Sequence, residues 1–248
     1  MFPESVLEIL SLFFNALVQT SRMKSSDISS TDRRCCTYYP FRLSIYIKME
    51  IFNSIFLYFF IILFSYLIGS VPFGFLLTKY FKNNDIREIG SGNIGTTNVL
   101  RSGNKGLALL TLVFDTLKGF LPVFIMIEYS PFLASLAAIS VFMGHIFPVW
   151  LKFKGGKGVA TFIGILFALS LSSAIIFIFS WLLAAFISKK SSISSLSATS
   201  ISSIYILIFD NIYGYIIIIL LIFIFIRHYE NIKRLFNKTE PNIKFGKK

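Results

Sequence analysis

Charge is scarce in this sequence. Asp, Glu, Lys and Arg make up 15% of 248 residues, against 55% hydrophobic, where a water-soluble domain carries about a quarter. The shortage excludes a chain whose whole surface faces water. Cysteine is nearly absent as well: Cys35 and Cys36 are adjacent and lie outside the apolar region, which excludes a disulfide framework. With only His145 and His228 to join them, metal ligands are too sparse for a zinc site. Acidic residues number 12 against 24 basic ones, a net charge of +12. The basic residues sit in loops between apolar segments, so the excess reads as membrane orientation and not as a nucleic-acid surface.

Apolar runs long enough to cross a bilayer are what the chain has instead. From Met49 they fall at about 51–78, 107–127, 132–151, 159–188, 193–209 and 212–226, the first broken at Gly69-Ser70-Val71-Pro72. The run 159–188 is long enough for one tilted helix, but Ser170-Leu171-Ser172-Ser173 interrupts it, and two short helices fit as well. Charge separates the two readings. With two helices there are seven spans, and with residue 49 outside, every loop Lys and Arg among the 18 that follow Met49 falls on the inner side. Only Lys118 lies within a span, and the outer loops hold Glu50, Glu128 and Asp210. One helix over 159–188 would carry Lys189 and Lys190 to the outside, or invert everything before them. Seven spans satisfy the positive-inside rule. The expected fold is therefore all-α: a polytopic membrane protein of about seven transmembrane helices, some short, with Gly-rich cytoplasmic loops forming the site. Residues 1–48 fit poorly. Their six Lys and Arg would lie outside, so the segment is expected to be a disordered extension or the product of a start assigned upstream of Met49; residues 49–248 form a single transmembrane domain.

Three inner segments are polar and glycine-rich. The first, Gly90 to Arg101 (Gly-Ser-Gly-Asn-Ile-Gly-Thr-Thr-Asn-Val-Leu-Arg), offers Ser91 and Asn93 as hydrogen-bonding groups and Arg101 as a planar fork suited to phosphate. Its alternative is a plain turn between helices. The second, Gly144 to Thr161, places Lys152, Lys154, Lys157 and the glycines Gly155, Gly156 and Gly158 just ahead of an apolar helix. Backbone N–H groups and a helix N-terminus there would cradle an anion; the alternative is a basic loop resting on lipid headgroups. It is not a Walker A loop, because Gly158 and not Ser or Thr follows Lys157. The third, Arg227 to Leu235, sets His228 and Asn231 three apart, on one face if helix continues; its alternative is a basic helix end that anchors the protein. Asp115 and Lys118, three apart inside a span, either support the site or act in it. The Ser-rich run 188–203 is apolar enough to insert, its hydroxyls bonding back to the helix.

Neither histidine begins a His-x-x-x-x-Asp string, and no Gly-x-Ser-x-Gly elbow occurs. Taken in order, Gly69–Gly74, Ser91–Arg101, Asp115–Gly119, Gly144–Thr161 and Arg227–Leu235 with Glu240-Pro241 resemble the bacterial acyl-phosphate:glycerol-3-phosphate acyltransferases, a membrane family that lacks the His-x-x-x-x-Asp motif. Thr96 and Tyr229 depart from it, where Ala and Arg are common. The resemblance implies transfer of a fatty acyl group from acyl phosphate to the 1-hydroxyl of sn-glycerol 3-phosphate, giving lysophosphatidate and phosphate without a cofactor, as the first acylation of phospholipid synthesis. It implies an inner-membrane, multi-pass protein with its N-terminus outside, its C-terminus inside and its site at the cytoplasmic face. Partners would be glycerol 3-phosphate, fatty acyl phosphate and membrane lipids, with no nucleic acid and with functional coupling to the enzyme that forms the acyl phosphate. Catalytic roles would fall to Ser91, His228 and Asn231, with Ser91 a hydrogen-bonding group and not a nucleophile. Substrate binding would fall to Asn93, Arg101, Lys154, Gly155, Gly156, Lys157 and Gly158. The transferred proton would go to His228 or to a substrate phosphate. Against this stands a non-enzymatic carrier of phosphate esters.

Overall fold

The computed structural model describes residues 32–82 and 84–243. The chain divides into two units, Met1–Phe56 and Leu57–Lys248; the core, the polar segments and the cavities belong to the second. Residues 1–31 lie outside the described residues, and most of the expectation for residues 1–48 lies there with them; the backbone is helical from Asp32. Among the described residues there are helices and loops and no strand, as the sequence predicts.

The helices are α1 (Asp32–Ser70), α2 (Phe73–Lys82), α3 (Thr96–Arg101), α4 (Lys105–Ile127), α5 (Pro131–Ile146), α6 (Val159–Leu169), α7 (Leu171–Ser188), α8 (Ser191–Phe209), α9 (Gly214–Arg227) and α10 (Tyr229–Phe236). Five stretches are long and apolar enough to cross a membrane: Phe52–Lys82, Lys105–Ile127, Pro131–Leu151, Leu171–Ser188 and Ser191–Phe209. A sixth joins Asn211–Arg227 to Tyr229–Phe236 through a 55° bend. The remaining candidate is α6. At about 1.5 Å per residue its 11 residues reach about half of a 30 Å hydrocarbon layer, so length supports five or six spans, and a seventh rests on charge alone.

The run 159–188 is two helices, as charge required. They meet at Ser170, whose hydroxyl caps α7 by accepting from the Ser173 N–H. The pair leaves the level of the cavity at Gly158 and returns to it at Ser191, since both residues line the same space. Lys157 and Lys190 therefore share one end of the bundle.

Helices approach closely where one of them offers no side chain. A Cβ at Gly119 of α4 would fall on the Thr161 carbonyl of α6, and one at Gly164 of α6 on the Thr116 carbonyl of α4. Gly144 of α5 faces the Tyr66 carbonyl of α1 in the same way. Between these contacts Phe142, Phe162, Phe177, Ile216, Ile217 and Leu220 form a buried core. The Ser-rich helix α8 turns Ser194, Thr199 and Ser202 inward, each hydroxyl donating to a carbonyl of the preceding turn. Residues such as Phe179, Phe186 and Phe209 are left on the outside, facing where lipid would be.

The break predicted at Gly69–Pro72 separates α1 from α2. It leaves the Val71 carbonyl with the Phe73 N–H at 3.2 Å, and Lys118 adds a second donor: Nζ donates to Val71 O at 2.8 Å and pairs with Asp115 at 2.7 Å. Both side chains are 3% exposed. The charged pair inside a span thus closes a helix break.

Candidate functional site

The three polar segments converge. An inner cavity of about 340 Å³ is lined by Ser91, Asn93, Arg101, Lys157, His228 and Asn231, with Glu240 among them. Leu112, Ile163, Phe177, Ile178, Trp181 and Leu182 give the same space an apolar wall. An outer cavity of about 440 Å³ adds Arg227, Tyr229 and Arg234. Ser91, Asn93, Lys157 and Asn231 line both spaces, so these four form the partition between a polar chamber and an apolar slot.

Asn98 organises the first segment. Its buried amide donates to the Ile86 and Ile89 carbonyls at 3.0 and 2.9 Å, and its Oδ1 accepts from the Ser91 N–H at 2.9 Å and from the Ser91 hydroxyl at 3.3 Å. The Ser91 hydroxyl thus meets an amide oxygen and not a base. Arg101 closes α3, where burial holds its guanidinium below the ordinary value, the Arg234 charge pushes the same way, and Glu240 opposes.

The second segment differs from expectation in one respect. The N–H groups of Gly155 and Gly156 do not face an anion, because they donate to the carbonyls of Ile146 and His145 at 3.0 and 3.2 Å. Their own carbonyls accept from Arg227, at 2.8 Å to Nη2 and 3.2 Å to Nε. A Cβ at Gly156 would strike the His145 ring. Gly155 lines only the outer cavity, Gly156 lines neither, and Lys154 is exposed and lines neither. These glycines let the loop fold back on itself and be stapled by Arg227. Gly158 does reach the inner cavity, at the start of α6. Its φ of +84° and the Phe142 ring against it leave no room for a side chain. The unpaired N–H groups that begin any helix stand there.

Lys157 is the cation at the partition. Nζ donates to Asn231 Oδ1 at 2.5 Å. Burial brings its pKa down to about 8, helped by the charges of Arg234, Arg101 and Arg227 and opposed by Glu240. Among the described residues neither Arg101, Lys157 nor Arg227 is in a salt bridge. A site that gathers these cations beside the Glu240 carboxylate suits a multiply charged anion.

His228 does not lie in a continuing helix. It sits at the bend between α9 and α10, and its Nδ1 is 2.8 Å from the Ile224 carbonyl. A carbonyl only accepts, so Nδ1 carries the proton and Nε2 of the neutral ring is an acceptor. Asn231 lies in the first turn of α10 and its amide donates to Glu240 Oε1 at 2.8 Å.

Several lining residues were not singled out as site residues from sequence. Glu240 is 5% exposed; it accepts from Ser192, Asn231 and Arg234, each at 2.8 Å. Those three bonds outweigh the effect of burial and hold its carboxyl below the ordinary value. Ser192 was hidden in a low-complexity run. Trp181, whose indole donates to Ser195 at 3.3 Å, resembles any other membrane aromatic. Asp115 and His145 also reach the inner cavity, 3.9 Å apart.

The description "Glycerol-3-phosphate acyltransferase" belongs to the family model that matches residues 59–238. A glycerol-3-phosphate acyltransferase of Pelagibacter ubique is 50% identical over 187 residues, covering 75% of this chain and 98% of that protein. One from Mesorhizobium japonicum is 48% identical over 184 residues, covering 73% and 94%. The crystal structure of PlsY, an integral membrane glycerol 3-phosphate acyltransferase, in its glycerol 3-phosphate form, matches with a TM-score of 0.73 and 34% identity over 75% of this chain and 96% of that one. Its lysophosphatidic acid form matches with a TM-score of 0.70 at 33% identity, over 75% of this chain and 94% of that one.

Proposed function

The chain belongs to the glycerol-3-phosphate acyltransferase family, and on that footing we propose that it uses an acyl phosphate as donor and makes 1-acyl-glycerol 3-phosphate and inorganic phosphate. The observation that carries this reading is the partition. Lys157 stands where a polar chamber meets an apolar slot, and Arg101 and the start of α6 line the inner space beside it. Both substrates present a phosphate to the polar side, while the acyl chain lies between Ile163, Phe177, Ile178, Trp181 and Leu182.

The 1-hydroxyl of glycerol 3-phosphate attacks the acyl carbonyl. An ester C–O bond forms, the C–O bond of the mixed anhydride breaks, and phosphate departs with the electron pair. Acyl phosphate has a good leaving group, so no acyl-enzyme is needed. Lys157 stabilises the departing phosphate and Arg101 clamps that of glycerol 3-phosphate. Asn93 and Ser91 hydrogen-bond substrate, and Asn231 positions it. The hydroxyl proton has two acceptors, Nε2 of His228 and a substrate phosphate.

We place the site at the cytoplasmic face of the inner membrane, with the N-terminus outside, the C-terminus inside and seven spans. The sharing of one cavity by every polar segment supports that topology, which also sets the site where an acyl-phosphate-forming enzyme could deliver its product. Purified protein in detergent, given labelled glycerol 3-phosphate and acyl phosphate, is expected to yield labelled lysophosphatidate. A carrier would yield nothing without closed vesicles, and no product from folded protein refutes the reading.

A further inference from the structure

Asn231 has two neighbours that both dictate its orientation. Its Nδ2 meets the Glu240 carboxylate, which only accepts, at 2.8 Å, and its Oδ1 meets the Lys157 ammonium, which only donates, at 2.5 Å. Reversing the amide would set oxygen against oxygen and N–H against N–H. Glu240 is itself fixed. Ser192 shares Oε1, Arg234 holds Oε2, and the Glu240 carbonyl accepts from Lys190 Nζ at 2.6 Å. Its backbone continues to Ile243, whose N–H donates to the Lys189 carbonyl at 2.8 Å. The stretch after α10 is thereby tied to the start of α8, with the carboxylate in the wall of the inner cavity.

We propose that Glu240 is a positioning residue for acyl transfer: it locks the Asn231 amide so that its oxygen holds the Lys157 ammonium at the partition, where substrate phosphate binds. The proposal rests on the reading of Lys157 as a phosphate ligand. The chain of donors runs in one direction, from Lys157 to Asn231 and from Asn231 to Glu240. Without the carboxylate the amide is free to turn its N–H groups toward Lys157 and drive the ammonium away.

Charge alone gives the opposite expectation. Glu240 is the carboxylate whose charge acts on both Arg101 and Lys157. Its loss leaves the site more positive, and a purely electrostatic role would tighten phosphate binding. The two roles therefore move the KM for acyl phosphate, the substrate whose phosphate Lys157 holds, in opposite directions.

The test uses the full chain in detergent, as wild type, Glu240→Gln, Asn231→Asp and the double variant. Glu240→Gln removes the obligate acceptor, and Asn231→Asp sets two carboxylates face to face. Each is expected to lose about tenfold or more in kcat/KM, with a raised KM in Glu240→Gln. The double variant rebuilds the polarity at unchanged net charge, because the carboxylate now at position 231 accepts both from Lys157 and from the amide now at position 240. Its kcat/KM is expected to exceed that of both single variants by about tenfold. A lowered KM in Glu240→Gln overturns the proposal. So does a double variant no better than the better single one, whether it is inactive or unfolded. Absence of wild-type turnover removes the functional reading and this inference with it; wild-type turnover without recovery removes the inference alone.

Discussion

Replacing Lys157 by Met is the perturbation with the most to lose. The ammonium donates to Asn231 Oδ1 at 2.5 Å and, among the described residues, has no carboxylate paired with it. A charge-assisted hydrogen bond to a phosphate contributes about 1.5–3 kcal/mol, and a unit charge about 4 Å away contributes about 4 kcal/mol at an effective dielectric of about 20. The three nearby arginines remain and share the anion, so a net loss of about 2–4 kcal/mol is expected, or roughly 30- to 900-fold in kcat/KM. The pH profile identifies the group. With a pKa near 8 in the free protein, Lys157 is charged below that pH and neutral above it. Because kcat/KM reports the free enzyme, it should fall as pH rises through about 8. A bound phosphate favours the charged form and raises the pKa, so kcat at saturation should hold to higher pH. Lys157→Met should lose the alkaline limb along with the rate. Lys157→Arg should lose the limb while keeping part of the rate, since guanidinium stays charged. Initial rates of labelled lysophosphatidate formation across pH 6 to roughly 10 measure all three. An unchanged limb near pH 8 in the Met variant, or a rate loss under about threefold, would refute the reasoning.

Three further outcomes test the scaffold. Lys118→Met strands the Asp115 carboxylate in the interior and leaves the Val71 carbonyl with the Phe73 N–H alone; a loss of about 3–5 kcal/mol should lower the thermal midpoint in detergent by roughly 6–20 °C, and Asp115→Asn/Lys118→Met should cost less than the two singles combined. Gly164→Ala places a Cβ on the Thr116 carbonyl, and overpacking of about 1–3 kcal/mol should appear in the same melt. Lys154→Ala should leave kcat/KM within about twofold, as expected of an exposed position; a larger loss would return Lys154 to the site.

What the sequence makes legible here is position more than direction. Charge placed the three polar segments on one side, and they do line one cavity. It also required two helices over 159–188, because Lys189 and Lys190 could not otherwise share a face with Lys157. The composition Gly-Gly-Lys-Gly marked a folded loop, yet it could not say which way the N–H groups point. Gly155 and Gly156 donate to the loop's own carbonyls, and Arg227 holds them from a helix about 70 residues away. Glu240 was visible only as part of a family resemblance, since nothing local says that a carboxylate beyond α10 folds back onto Asn231. Asp115 and Lys118 were correctly marked as exceptional. Besides Asp115, Lys118 has a carbonyl 47 residues upstream as partner, and no helical spacing reports it.

The central claim is that phosphate, and not another activating group, leaves from this site. Folded protein in detergent, offered acyl phosphate, acyl-CoA and acyl carrier protein thioester in parallel with labelled glycerol 3-phosphate, decides it. Acyl phosphate is expected to support lysophosphatidate formation with equimolar release of inorganic phosphate. Product formed only from acyl-CoA would contradict the account.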